Sequence, residues 1–270
     1  MIALSGRRIE RPWGRMRVWE AGTGEPLLII HGLGGSGRYF DRLAARVSPR
    51  FHVVAPDLAG FGTSDKPDVA YDRGMHLDDL DAVAEEMELD RPTAVAGHSL
   101  GGLFAALWAS RHPERVRGLC AMSAPYPSPD EHEVWVQEPK PPPAAKIALP
   151  ILAAAVRALA VPVGVVRGYP PAVAVDYARQ TLRSRARTMR SALYDPAIAQ
   201  EMEMVRALDG RLPILIEHAL DDRTVRLGAH EHWRALLPSA EHHIVAGDHQ
   251  VQLHSRFETL ASWLDRLSDR

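Results

Sequence analysis

Five residues, Gly97-His98-Ser99-Leu100-Gly101, have the spacing that can turn a serine hydroxyl into a nucleophile. The G-x-S-x-G pattern gains meaning from its flanks. Thr93–Ala96 reads as a strand and Leu100–Arg111 as a helix closed by Pro113. A sharp strand-to-helix turn lifts the serine above the sheet edge. Such a turn leaves no room for side chains two residues to either side, which accounts for Gly97 and Gly101. Gly102 lets the helix pack closely. The helix N-terminus places positive dipole beneath the negative charge that acyl transfer develops.

That charge needs two backbone N–H donors aimed at one oxygen. Leu100, directly after the serine, can supply one. A second glycine-rich loop, His31-Gly32-Leu33-Gly34-Gly35, follows the apolar run Leu27–Ile30, and Leu33 is its candidate donor. The glycines let backbone approach substrate. His31 precedes two glycines at a strand end, so a role in shaping this loop is expected of it rather than proton transfer.

The elements around these loops alternate. Met16–Glu20, Leu27–Ile30, Phe51–Ala55, Thr93–Ala96 and Val116–Met122 read as strands. Arg38–Val47, Leu77–Leu89 and Leu100–Arg111 read as helices between them. The last quarter repeats the habit, with strands Pro213–Ile216 and His242–Ala246 and helices Gly228–Leu237 and Phe257–Leu267. Short buried strands alternating with helices imply a mostly parallel sheet covered on both faces. The middle, residues 124–208, breaks this rhythm with a proline-rich opening and then Ala-, Val- and Arg-rich sequence. It reads as a helical lid between residues 1–123 and 209–270, the two parts of one core.

Composition excludes several classes. Of 270 residues, 46% are hydrophobic and 24% charged, and the net charge of −2 gives no electrostatic pull toward nucleic acid or a membrane surface. Cys120 is the single cysteine, so no internal disulfide forms; this suits a reducing compartment, and a cytoplasmic location is expected. It lies in an apolar run and reads as core. No Cys/His metal cluster is visible and no cofactor is expected. There is no signal-peptide core, nor a run of about 18 apolar residues as a membrane span requires.

Taken together, HGLGG at 31–35, APDLAGFGTSDKP at 55–67, AGHSLGG at 96–102, RHPERV at 111–116, LDDRTV at 220–225 and AGDHQVQL at 246–253 resemble the α/β-hydrolase family. The motifs keep family order over nearly the whole chain except the middle. The resemblance implies a mostly parallel eight-stranded sheet with helices on both faces and a helical cap inserted after the sixth strand. It also implies the chain order Ser, acid, His. There are 13 histidines, so residue type alone does not choose the base. The family order selects His249 as base, and the acid's usual place before an Arg or Pro selects Asp222 over Asp221. Asp57 matches a structural aspartate of the family. Dehalogenase and epoxide-hydrolase relatives carry aspartate where this chain has Ser99, so an acyl-enzyme is implied here.

Two departures stand out. Glu217-His218-Ala219 replaces the usual small residues before the acid, and Asp248 intrudes between Gly247 and His249. Asp248 either perturbs the histidine or is simply solvated.

In the lid, Val175, Ala178, Leu182, Ala186, Met189 and Leu193 have the spacing of one apolar face on a helix over Val173–Tyr194. Arg179, Arg183, Arg187 and Arg190 line another face. They are either a solvated basic stripe or a site for an anionic group or acyl-carrier partner. His31, Gly32, His98, Tyr126 and Trp135 are the candidate substrate contacts, with Ile147, Leu152 and Val156 as further pocket candidates. The expected partner is a small-molecule acyl substrate, a small or medium apolar ester being the default. Thioester, lactone and carbon–carbon bond cleavage, acyl transfer, cyclisation and a non-enzymatic ligand receptor also remain open.

Overall fold

Strand runs rich in Val, Leu, Ile and Ala have to be covered on both faces, and the computed structural model shows how. It describes residues 4–127 and 171–269. Eight strands form one sheet: β1 (Ser5–Arg11), β2 (Gly14–Ala21), β3 (Glu25–Ile30), β4 (Phe51–Pro56), β5 (Thr93–His98), β6 (Val116–Met122), β7 (Ile214–Ala219) and β8 (Glu241–Val245). Their spatial order is β1-β2-β4-β3-β5-β6-β7-β8. β1–β2 and β2–β4 pair antiparallel, and every later pair is parallel.

Sequence reading overlooked β1. Only Ile9 of its seven residues is buried, because it is an edge strand, so its pattern carries almost no apolar signal. By contrast, all six residues of β5 and of β7 are buried.

Alternation along the strands divides the core. Leu28, Ile30, Val95, Leu119 and Ile216 face one side, together with Leu103, Phe104, Leu107 and Trp108 of α3 (Leu100–Arg111). Leu27, Ile29, Ala94, Cys120 and Leu215 face the other, together with Leu43 and Val47 of the preceding helix α1 (Asp41–Val47). Between these helices in sequence, and on the face of α3, comes α2 (Arg73–Glu86), whose N-cap Asp72 accepts from Met75 N–H at 2.8 Å.

After β3 the chain moves to one side of the sheet for β4, then returns to the other side for β5. Order reverses between β3 and β5, and the crevice at their carboxyl ends is where an open α/β sheet binds ligands. Both glycine-rich loops leave from those ends.

Between β6 and β7 the described residues form three helices: α4 (Pro171–Arg179), α5 (Leu182–Leu193) and α6 (Ile198–Arg206). The single helix expected over Val173–Tyr194 is thus two. Thr181 breaks it by taking an extended conformation and capping α5, its side chain accepting from Ser184 N–H at 3.0 Å. The expected apolar face is displaced as well. Leu182 is 69% exposed, whereas Ser184 and Thr188 are buried. Those two make polar contacts with the core, Ser184 Oγ donating to Gly60 O (3.1 Å) and Thr188 Oγ1 pairing with His76 Nε2 (2.9 Å). Asp176, fully buried, takes a two-pronged grip from Arg38 at 2.6 and 2.9 Å. The chain closes with α7 (Gly228–Leu236), the short α8 (Val251–His254) and α9 (Glu258–Ser268), the last within a residue of the expected Phe257–Leu267.

Candidate active site

Ser99 sits between β5 and α3 with φ 54° and ψ −128°. A non-glycine residue there holds roughly 1–3 kcal/mol of strain. Its neighbours impose the turn. A Cβ on Gly97 would stand 2.1 Å from the Gly101 carbonyl oxygen, and one on Gly101 would stand 2.1 Å from that of Ile30. Ser99 N–H donates to Met122 O at 2.8 Å, fixing the turn to the end of β6. Leu100 opens α3.

The loop after β3 lies directly against this turn. A Cβ on Gly32 would meet Ser99 Cβ at 2.9 Å and His98 O at 3.1 Å, so only glycine fits. Gly35 N–H donates to Gly32 O at 2.9 Å, closing a tight turn around Leu33 and Gly34.

His31 holds the loop from beneath. Its Nε2 accepts from Leu58 N–H at 3.0 Å, so the ring proton is on Nδ1, which meets Gly32 O at 2.7 Å. Both nitrogens are occupied, and burial lowers the pKa, keeping the ring neutral. His31 is therefore part of the loop's support, not a substrate contact. Asp57 is buried too. Its Oδ1 accepts from Gly37 N–H (2.7 Å) and Trp19 Nε1 (3.0 Å), and its Oδ2 from the backbone (2.7 Å) and hydroxyl (3.0 Å) of Thr63.

At the carboxyl end of β7, Asp222 Oδ2 lies 2.6 Å from His249 Nδ1. Its Oδ1 accepts from Thr224 and Val225 N–H, each at 2.8 Å. Burial alone would raise the pKa of this carboxyl. The hydrogen bond and charge of His249, together with the two amides, outweigh it and leave the pKa below the ordinary carboxylate range. Asp221 is exposed, and only its backbone N–H, bonded to Gly247 O at 2.9 Å, ties it to the His249 loop. Asp248 is exposed as well, its Oδ1 accepting from Gln250 N–H at 3.0 Å. It caps the turn into α8 rather than facing the imidazole.

His249 reaches the serine turn through its neighbour. The His98 and His249 rings lie 4.7 Å apart, and His98 Nε2 is 2.6 Å from His249 O. With Nδ1 on Asp222, the lone pair left for proton transfer is on Nε2 of His249. The structure thus gathers Ser99, His249, Asp222 and both glycine loops at one sheet edge. His98 is directed at the backbone of His249, a contact that a motif cannot reveal because the partner lies 151 residues away.

One further candidate is described. Tyr126 stacks on His232 at 5.0 Å and stands edge-on to Trp233 at 5.7 Å, so it packs against α7. Trp135, Ile147, Leu152 and Val156 lie outside the described residues. Three arginines of the basic stripe meet carboxylates of this chain. Arg183 and Arg187 each pair with Asp68 at 2.9 Å, Arg179 approaches Asp176 at 3.7 Å, and Arg185 donates to the Tyr177 hydroxyl at 3.0 Å. No group of three or more His, Cys, Asp or Glu among the described residues is placed to hold a metal ion. No helix there is long and apolar enough to cross a membrane.

Comparison with known proteins agrees with the fold. Residues 25–255 match the family model described as alpha/beta hydrolase fold. The chain is 38% identical over 98 residues to Lipase 3 of Moraxella sp., covering 36% of this chain and 31% of that protein. It is 35% identical over 123 residues to the 2-hydroxymuconate semialdehyde hydrolase of Pseudomonas sp., covering 44% of this chain and 43% of that protein. In both cases the match spans less than half of the curated relative. The thioesterase domain from the curacin biosynthetic pathway superposes with TM-score 0.75 at 18% identity, over 97% of this chain and 99% of that one, a likeness of fold.

Proposed function

The chain belongs to the α/β-hydrolase fold family, and from that premise we propose that it is a serine hydrolase cleaving a carboxylic ester or similar acyl bond through an acyl-enzyme on Ser99. One observation carries the proposal: the 2.6 Å contact of Asp222 Oδ2 with His249 Nδ1, on a histidine whose backbone is held by the residue next to Ser99. A buried carboxylate in that place fixes the imidazole tautomer and stabilises the imidazolium that forms.

In this mechanism Ser99 Oγ attacks the acyl carbon as its proton passes to His249 Nε2. The carbonyl oxygen becomes an oxyanion held by the N–H groups of Leu33 and Leu100. Collapse breaks the bond to the leaving alkoxide, which takes the proton from His249. Water then attacks the acyl-enzyme, giving its proton to His249, and the acid departs as Ser99 recovers that proton. In this reading residues 1–123 and 209–270 are the two parts of the core, and the segment between them, 124–208, is an inserted cap.

The test is intact-protein mass spectrometry after treatment with a fluorophosphonate, followed by hydrolysis of a p-nitrophenyl ester series. An adduct on Ser99 and release of the acid support the proposal. A folded protein that takes up no probe on Ser99 favours a ligand receptor on the same fold. Acyl products formed with added alcohols in preference to water favour an acyltransferase.

A further inference from the structure

His218 stands on β7, four residues before Asp222, with its side chain 1% exposed. Its Nε2 lies 2.9 Å from Val225 O and 3.9 Å from Asp222 Oδ2. A carbonyl only accepts, so Nε2 carries the hydrogen and donates it to Val225. Val225 in turn gives its own N–H to Asp222 Oδ1. The turn 222–225 is therefore tied on both sides, by the carboxylate drawing in two amides and by His218 drawing in a carbonyl.

The ring directly behind His218, that of His230, is also uncharged. The His230 ring stands edge-on to it at 5.9 Å, and the His242 ring edge-on to His230 at 5.2 Å. Burial lowers the pKa of His218, and with the facing His242 and His218 it takes that of His230 to about 4. A cation in the place of His218 would compete with His249 for Oδ2. A neutral imidazole supports the turn without supplying that charge.

We infer that His218 is a positioning residue for the acid: its hydrogen bond to Val225 O locks the turn 222–225, so that Oδ2 of Asp222 serves His249 alone. The inference rests on the serine-hydrolase proposal above.

The experiment compares His218→Gln with His218→Asn. The glutamine amide nitrogen can stand where Nε2 stands and donate to Val225 O; the shorter asparagine cannot reach. Both are polar and similar in their demands on folding, and thermal melts check that each variant is folded. The readout is fluorophosphonate labelling of Ser99, resolved into maximal rate and half-saturating concentration. His218→Asn should lower the maximal rate by about 10- to 100-fold with the half-saturating concentration little changed, as loss of a buried hydrogen bond to the acid's turn predicts. His218→Gln should restore it to within about threefold. Equal rates in wild type and His218→Asn, or equal losses in both variants, would overturn the inference. Ser99→Ala and Asp222→Asn run alongside. If wild type fails to label on Ser99, or Asp222→Asn labels at the wild-type rate, the serine-hydrolase proposal itself fails and takes the inference with it.

Discussion

His98 Nε2 lies 2.6 Å from the carbonyl oxygen of His249, which ties the residue before the candidate nucleophile to the backbone of the candidate base. The two loops that must converge on one substrate atom are thus joined by a direct bond, independent of the sheet that carries them. Asp222 fixes the imidazole ring and His98 fixes the main chain it hangs from.

Removing that bond should loosen the base without abolishing it. His98→Ala leaves the His249 carbonyl without this partner, a loss of about 1–2 kcal/mol for a buried group. Turnover of a p-nitrophenyl ester should fall about 10-fold with KM nearly unchanged. A larger rise in KM than fall in kcat would restore His98 as a substrate contact.

Asp221 and Asp222 are neighbours in sequence and opposites in environment. Asp222→Asn removes the carboxylate that holds His249 Nδ1 and should cost about 10⁴-fold in kcat, comparable to loss of the acid in other triads. Asp221→Asn changes an exposed side chain and should leave kcat within about threefold. Steady-state kinetics of the two variants decide the matter, and the reverse ranking would move the acid to Asp221.

Gly32 tests the candidate oxyanion loop by volume alone. An alanine Cβ there would stand 2.9 Å from Ser99 Cβ. The clash can be relieved only by shifting one loop away from the other, and the loop that moves carries the Leu33 amide. Gly32→Ala should therefore lower kcat by about 10²- to 10³-fold, the cost of a lost oxyanion donor. Wild-type turnover in this variant would show that the loop takes no part.

How much of this was readable beforehand depended on where each signal lies. β5 and β7 are buried at every position, so their apolar runs announce strands in any context. β1 buries Ile9 alone, and no local pattern distinguishes it from a loop. Thr181 could have been recognised as an N-cap, because Ser184 follows at the N3 position and the preceding helix ends at Arg179. The apolar spacing that continues through it masks that signal. Ser99 declared itself through glycines whose reason is steric and local. The bonds from His98 to His249 and from His218 to Val225 carry no such mark, since a histidine is chosen by its partner and the partner is set by the fold. Arg183 and Arg187 make the same point in reverse. Their regular spacing invites an anionic ligand, and Asp68, more than a hundred residues away, is the anion they meet.

Glu217 gives a prediction about stability. It is 1% exposed on β7, and burial pushes its carboxyl up to about 7 from 4.5, with the Thr259 hydroxyl opposing only in part. Between those values the folded chain holds a proton that the unfolded chain has released. Stability from this group therefore falls as pH rises from about 4.5 and levels off above about 7. A shift of that size corresponds to about 3 kcal/mol. Glu217→Gln keeps the shape and removes the titration. Relative to wild type, the variant should gain about 3 kcal/mol in urea-unfolding free energy on going from pH 4.5 to pH 8. An identical pH dependence in the two proteins would mean that Glu217 does not hold a proton in the folded state.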